Sequence, residues 1–307
     1  EKLEFLLGAG FNRLSIGVQD FDAEVQTAIG RNQTFERTAA FCARIRAHGV
    51  RSLNFDLVYG LPKQNVAKLD ATMRRVAELG PDRIAVYSFA FLPVLRDNQK
   101  NIVAEDLPSP DVKFDLYLLT IQRLLDAGYE MIGMDHFAKP SDELSVALRE
   151  RRLRRNFMGY TTKAETDVLA LGATSIGDVS GYYCQNIKET CQYVARMGMG
   201  ELAVEREMLL DEDDMIRRRV IMDLLCNGVV VKREIEARFS IDFEAYFEKE
   251  LAGLGDLVAQ GMVSHSAEAV EATALGRYFL RNIALHFDNY FDGRKGKGGG
   301  ATFSRTV

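Results

Sequence analysis

An aspartate is expensive inside an apolar strand, and one sits in the stretch 53–64, Leu-Asn-Phe-Asp-Leu-Val-Tyr-Gly-Leu-Pro-Lys-Gln. Burying a polar group without a partner costs ~2–7 kcal/mol, and a charge costs more. Asp56 therefore either faces a ligand near the end of its strand or has a hidden salt bridge. Gly60-Leu61-Pro62 stops the strand, which puts Asp56 a few residues from the C-terminal end, where parallel α/β folds bind ligands. Gln19 and Ser88 fall equally late in their own apolar stretches. A second polar pair, Asp135-His136, interrupts the apolar run 129–137; a histidine there also suits a strand end or turn with no chemistry attached. Finally, Arg149, Arg151, Arg152, Arg154 and Arg155 crowd one short segment. Most of them suit a solvated helix end, whose dipole favours cations. Together they could also clamp an anion carrying several carboxylates or phosphates, because the guanidinium fork binds such groups in pairs.

The elements that must position these residues follow from pattern and punctuation. A helix over residues 2–9 ends at Gly8 and Gly10, and the first strand, 13–19, carries Gln19 at its C-terminal end. Asp20-Phe21-Asp22 caps and starts a helix over 24–29. Residues 34–48 form an amphipathic helix stopped by Gly49, followed by the Asp56 strand, a helix over 65–79 closed by Gly80-Pro81, and a strand over 83–91. Strand and helix alternating in this way give the rhythm of a parallel sheet or barrel. A long helix over 110–128 leads into the 129–137 run, and 141–155 reads as a helix ending in the arginines. The small residues of 169–181 allow a ligand to approach the backbone closely. From about Glu205 the character changes. Asp211 caps a helix to Asn227 with Gly228 as its stop, helices follow over 232–239 and from Asp242 toward Gln260, a ribbon spans 262–266 and 270–272, and 273–287 returns to helix. That is a winged-helix pattern, which serves DNA binding in some proteins and only packing in others. Residues 292–301 read as a mobile tail. Three parts result: 1–140, 141–204 and 205–307.

With 307 residues, 47% hydrophobic and 27% charged, the chain can bury a large core. A net charge of −5 and a pI near 5.6 offer no global attraction to nucleic acid or anionic membrane. No apolar run approaches the ~20 residues of a membrane span, and no signal-peptide pattern opens the chain; a soluble, cytoplasmic protein is the expectation. Cys42, Cys184, Cys191 and Cys226 lack the spacing of a zinc or iron–sulfur site. They read as reduced thiols, Cys42 and Cys226 in helix cores, with a Cys184–Cys191 pair as an option.

Several blocks taken together resemble the bacterial oxygen-independent coproporphyrinogen III oxidases. They are Gly17-Val18-Gln19-Asp20-Phe21, residues 56–64, Pro81-Asp82-Arg83, Asp106-Leu107-Pro108, residues 132–138, Asn156-Phe157 with Gly159-Tyr160-Thr161-Thr162, and Phe303-Ser304-Arg305. The resemblance runs nearly end to end. It implies an α/β fold, the later half of a radical S-adenosylmethionine partial (β/α)6 barrel, followed by a mainly helical, winged-helix-like C-terminal domain. It implies two S-adenosylmethionine molecules and a 4Fe–4S cluster, with Gln19, Arg31 and Asp56 binding the second S-adenosylmethionine and Ala90 and Ile176 lining the first. Gln19 and Asp56 are already marked by position, whereas Arg31 is otherwise only a basic residue after a helix.

The implied activity is oxidative decarboxylation of two propionates of coproporphyrinogen III to vinyl groups, giving protoporphyrinogen IX in heme biosynthesis, by a monomer supplied by an electron donor. The hard chemistry belongs to the cofactors. Arg149, Arg151, Arg152 and Arg155, with Asp135 and His136, are the candidates for holding the tetrapyrrole. The family's C-x3-C-x2-C motif, its Gly-Gly-Thr strand and the glutamate on the next strand are expected before Glu1, so the chain reads as a fragment without cluster ligands. Phe91 and Arg154 stand where the family usually has His. The rival readings are a heme chaperone or tetrapyrrole-cleaving relative on the same barrel, and a winged-helix DNA-binding module; the absence of a basic recognition helix and the acidic run 211–214 argue against the last.

Overall fold

The computed structural model describes residues 2–164 and 166–291; the expected tail at 292–301 and the block at 303–305 lie outside them. The chain divides into two units, the first ending at Val146 and the second beginning at Ala147.

In the first unit the elements are α1 (Lys2–Gly8), β1 (Arg13–Gln19), α2 (Ala23–Ala28), α3 (Phe35–Ala47), β2 (Ser52–Tyr59), α4 (Val66–Leu79), β3 (Arg83–Ser88), α5 (Pro110–Asp126), β4 (Glu130–Gly133) and β5 (His136–Ala138), with α6 (Glu143–Arg149) running across the division. Helix starts are set by side chains that satisfy free backbone N–H groups: Asp22 for α2, Thr34 for α3, Asn65 for α4 and Ser109, followed by Pro110, for α5. The sheet runs β1-β2-β3-β5-β4, with β1, β2 and β3 parallel and β5 antiparallel to both its neighbours. Its two faces differ sharply. Leu53, Phe55, Leu57, Ile84, Val86 and Phe137 are at most 3% exposed on one face. They form the core together with Ile45, Val76, Leu116 and Leu124 of α3, α4 and α5, each contributing about 1.5–3 kcal/mol by burial. The register places Ser15, Gly17, Asn54, Asp56, Val58, Tyr87 and His136 on the other face.

Three expectations for this unit need correction. The third strand stops at Ser88 rather than Phe91. The 129–137 run is not one element: it folds back on itself at Met134 (φ 48°) into the antiparallel pair β4 and β5, so Asp135 sits in a turn and His136 opens a strand. The helix expected over 141–155 ends at Arg149, because Arg151 takes a left-handed conformation (φ 55°) and the chain then re-enters a sheet.

The second unit begins with the hairpin β6 (Arg154–Asn156) and β7 (Gly159–Thr161), followed by β8 (Ile176–Val179), β9 (Tyr182–Asn186), α7 (Thr190–Gly198) and β10 (Val204–Leu209). The antiparallel sheet β10-β9-β8 and α7 are not predicted by the sequence pattern, in which 169–181 is only a small-residue stretch within the part 141–204. Next come α8 (Glu212–Asn227), β11 (Val229–Val231), α9 (Lys232–Phe239), α10 (Phe243–Tyr246), α11 (Glu248–Gly253), α12 (Gly255–Ala259), β12 (Val263–His265), β13 (Ala269–Ala272) and α13 (Leu280–Leu285). Asp211 and Asp214 form a reciprocal capping box at the start of α8, and Gly228 (φ 71°) stops it. The helix expected from Asp242 is broken into α10, α11 and α12, and that expected over 273–287 is a 3-10 turn (Gly276–Phe279) followed by α13. Ile216, Val220, Leu224, Val230, Ile235, Phe243, Phe247 and Phe287 pack one core beneath the sheet β11-β13-β12, the winged-helix-like arrangement expected from the pattern.

Candidate functional site

Three of the residues singled out from sequence converge on one glycine of the first unit. Gly17 pairs with Asp56 across β1 and β2. A Cβ placed on Gly17 would lie 3.0 Å from Gln19 Nε2 and 3.8 Å from Arg31 Nη2. Arg31 Nη2 donates to the Gly17 carbonyl at 2.5 Å and to Gln33 Oε1 at 2.9 Å. Arg31 thus reaches back across α2 to the end of β1, a relation that no local pattern reveals. Asp56 is half-buried, and its carboxylate accepts from Ser15 Oγ (2.8 Å) and Asn54 Nδ2 (2.9 Å). Asn54 Nδ2 also donates to Ser15 Oγ at 2.9 Å. Both partners are neutral, so of the two alternatives posed by the sequence these contacts favour a carboxylate facing a ligand over a hidden ion pair. Ser15 and Asn54 carry no motif, and their one sequence signal is position: two residues from Gly17 and Asp56, they share a strand face with them.

The approach to this cradle is a strained turn. The Asp20 N–H donates to the Val18 carbonyl at 2.9 Å and Gln19 between them has φ 67°, a γ-turn of the less favourable hand. Such conformations cost about 1–3 kcal/mol and persist only where the surroundings over-determine them. Here Asp20 does so. Asp22, not Asp20, caps α2, accepting from the N–H groups of Glu24 and Val25. Asp20 is 0% exposed and accepts from Asp22 N (2.7 Å), Thr72 Oγ1 (2.6 Å) and Gln64 Nε2 (2.6 Å). Burial pushes the Asp20 carboxyl up, and these three donors pull it the other way without cancelling the rise. Gln64 Oε1 in turn accepts from the backbone N–H groups of Gly60 and Leu61. One buried network therefore ties the ends of β1 and β2 together. No local pattern marks the roles of Asp20 and Gln64, because Asp20 meets Gln64 and Thr72 only through the fold.

The remaining candidates are spread over both units. Ala90 follows β3 in the first unit. Gln99 brackets its segment, donating to the Ala90 carbonyl (3.0 Å) and accepting from Leu92 N (2.6 Å), while Lys113 Nζ holds the Phe89 carbonyl at 2.8 Å. The Lys113 stem lies over Gly60 (φ 82°), where a Cβ would meet Cε at 2.8 Å, and burial lowers the Lys113 pKa. His136 Nδ1 is 3.0 Å from Asp135 Oδ1, and its ring meets Tyr87 edge-on at 6.0 Å. It stands two strands from Asp56, about 10 Å by strand spacing, on the same face. Ile176 opens β8 in the second unit. Arg149, Arg151 and Arg152 are exposed, Arg152 bonding Glu150 at 2.8 Å. Arg155, on β6, instead lines a pocket of about 270 Å³ together with Arg154.

S-adenosylmethionine presents hydroxyl, amino and carboxylate groups, and the cradle offers them an acceptor at Asp56 and donors at Gln19 and Arg31, so the residues fit. A 4Fe–4S cluster does not fit this donor set. Cys42 and Cys226 are buried in α3 and α8, Cys184 lies on β9 and the exposed Cys191 on α7; all are free thiols, and burial pushes the Cys226 thiol up to about 12. Among the described residues the one close group of three potential metal ligands is Asp211, Asp213 and Asp214, with no cysteine.

Residues 1–76 match the Radical SAM superfamily and residues 210–279 the HemN C-terminal domain. The chain is 43% identical over 307 residues to the oxygen-independent coproporphyrinogen III oxidase of Helicobacter pylori (strain J99 / ATCC 700824), covering 100% of this chain and 66% of that protein. To the Escherichia coli (strain K12) protein of the same name it is 44% identical, covering 94% of this chain and 63% of the relative. The Thermostichus vulcanus protein is 41% identical, with 97% of this chain and 91% of the relative covered. Among solved structures, coproporphyrinogen III oxidase (HemN) from Escherichia coli, described as a Radical SAM enzyme, superposes with a TM-score of 0.91 at 44% identity, over 94% of this chain and 67% of that one. The chain thus spans slightly less than two thirds of the length of the Helicobacter and Escherichia relatives. The radical SAM α/β fold with its HemN-type C-terminal domain and the level of identity agree, and the chain belongs to the oxygen-independent coproporphyrinogen III oxidase family of the Radical SAM superfamily.

Proposed function

We propose that this chain forms part of an enzyme that oxidatively decarboxylates two propionates of coproporphyrinogen III to vinyl groups, yielding protoporphyrinogen IX. The reading rests above all on the convergence of Gln19 and Arg31 on Gly17, with Asp56 directly opposite, on the polar face of the parallel sheet. In it, Gln19, Arg31 and Asp56 hold one S-adenosylmethionine, and Ala90 and Ile176 contact another. When bound, S-adenosylmethionine supplies the hydrogen-abstracting chemistry of the superfamily. The chain's own residues orient it: the Asp56 carboxylate accepts from a hydroxyl or amino group, the Gln19 amide donates, and the Arg31 guanidinium, already held on the Gly17 carbonyl, presents its remaining N–H groups. The apolar core behind the sheet keeps that geometry stiff and dry. Asp135, His136, Arg149, Arg151, Arg152 and Arg155 are the side chains assigned to the tetrapyrrole. The division into 1–140, 141–204 and 205–307, a monomeric state, a cytoplasmic setting and an external electron donor belong to the same reading. No helix among the described residues is long and apolar enough to cross a membrane.

The test is anaerobic turnover of the enzyme containing this chain with coproporphyrinogen III and S-adenosylmethionine, read by product mass. Loss of two carboxyl groups with the macrocycle intact is the expected result. An opened macrocycle, or a tetrapyrrole bound and released unchanged, overturns the proposal.

A further inference from the structure

A pocket of the second unit is lined by more cations than anions. Its walls come from β6, β7, described residues of the segment between β7 and β8, β8 and the turn after it, α8 and the end of α9. Among its described lining residues are six cations, Arg154, Arg155, Lys163, Arg218, Arg219 and Arg238, against two carboxylates, Asp167 and Asp178. Those carboxylates are engaged. Asp178 Oδ1 accepts from Arg218 at 3.1 Å, its Oδ2 is also held by Arg218, and Asp167 accepts from the Ser180 N–H at 2.9 Å. Arg219 is paired with Asp223 at 2.7 Å. Arg154 Nη1 donates to the Leu153 carbonyl, and Arg155 stacks on the Tyr160 ring at 5.9 Å. Arg155 Nε is buried and, among the described residues, has no hydrogen-bond partner. A buried guanidinium donor left unmade is a standing cost and calls for an acceptor. Positive groups gathered in a cleft also focus the field on an anion.

We infer that this pocket is a binding site for a small dianion of the dicarboxylate or phosphate class, with Arg155 as its principal donor and Arg154 and Lys163 completing the charge. The inference stands apart from the S-adenosylmethionine cradle; Arg155 is the residue it shares with the proposed tetrapyrrole contacts, and here its ligand is a separate small anion. A volume of about 270 Å³ lies at the small end for ligand pockets, which suits a compact ion rather than a whole cofactor. The planar fork of Arg155 matches the paired oxygens of a carboxylate or phosphate. Met215, Met222 and Phe239 supply an apolar wall for the stem between two carboxylates, whereas a diphosphate would rely on the cations alone.

The test is calorimetric titration of the chain, at low ionic strength, with glutarate and with inorganic pyrophosphate in separate runs, on wild type, Arg155→Gln and Lys163→Gln. Saturable one-to-one binding of either probe is expected, weakened at least tenfold by Arg155→Gln and about threefold by Lys163→Gln. Preference for glutarate identifies a carboxylate ligand, and preference for pyrophosphate a phosphate ligand. Lys163 is exposed, so its replacement leaves the fold alone and decides the matter if Arg155→Gln fails to fold. Absence of binding of both probes to wild type, or binding that a folded Arg155→Gln or Lys163→Gln leaves unchanged, overturns the inference.

Discussion

Replacing Asp56 by asparagine separates a ligand-facing carboxylate from a structural one. The side chain has two neutral partners, Ser15 Oγ at 2.8 Å and Asn54 Nδ2 at 2.9 Å. In Asp56→Asn the remaining oxygen keeps the Asn54 contact, and the new amide group turns toward Ser15. The Ser15 hydroxyl already accepts from Asn54 and has a second lone pair, so it can rotate from donor to acceptor and take the amide hydrogen. No charge is stranded, so the ~3–5 kcal/mol lost on breaking a buried ion pair does not arise. The stability change should stay below about 1 kcal/mol. A charge-assisted hydrogen bond to a ligand hydroxyl or amino group is worth about 1.5–3 kcal/mol, so affinity for S-adenosylmethionine should fall about tenfold to a hundredfold. Thermal unfolding without cofactor and binding calorimetry with it measure the two quantities independently. A loss of several kcal/mol in stability with unchanged affinity refutes the reasoning, and the assignment of Gln19 and Arg31 to the same ligand would fall with it.

Two further outcomes follow from the turn beside the cradle. Gln19→Gly removes a Cβ from a left-handed conformation (φ 67°), and the strain relief of ~1–2 kcal/mol offsets the ~0.5–1 kcal/mol of backbone entropy that glycine loses on folding. Unfolding should therefore shift by no more than about 1 kcal/mol, while affinity for S-adenosylmethionine drops several-fold; a large destabilisation would make the Gln19 amide structural. For Asp20→Asn, Gln64 cannot flip to meet the new amide, because its oxygen serves Gly60 and Leu61, so two donors face each other at a fixed cost. Burial raises the Asp20 pKa, and a raised acid contributes stability that is complete below the unfolded value, about 3.9, and lost as pH rises through the folded value. The deficit of Asp20→Asn in chemical denaturation should thus be largest near pH 4 and shrink toward neutral pH, and a gap that widens with pH contradicts the assignment.

Local order was largely legible in the residues themselves. The caps at Asp22 and Asp211, the stops at Gly80 and Gly228, and the alternation of strand and helix act over a few residues. They therefore gave the parallel β1-β2-β3 core and the winged-helix-like end. The strand-end positions of Gln19 and Asp56 are local facts of the same kind, as is the burial of Cys42 and Cys226 on helices. Tertiary structure alone decided what depends on register and on contacts distant along the chain. The pairing of Gly17 with Asp56 joins residues 39 apart, and Asp20 becomes a buried hub through Gln64 and Thr72, 44 and 52 residues away. The arginine segment shows the limit most plainly. Arginine favours helix by intrinsic propensity, yet Arg154 and Arg155 lie on a strand, because pairing of β6 with β7 and the Tyr160 hydroxyl bonded to the Leu225 carbonyl outweigh the few tenths of a kcal/mol that propensity offers.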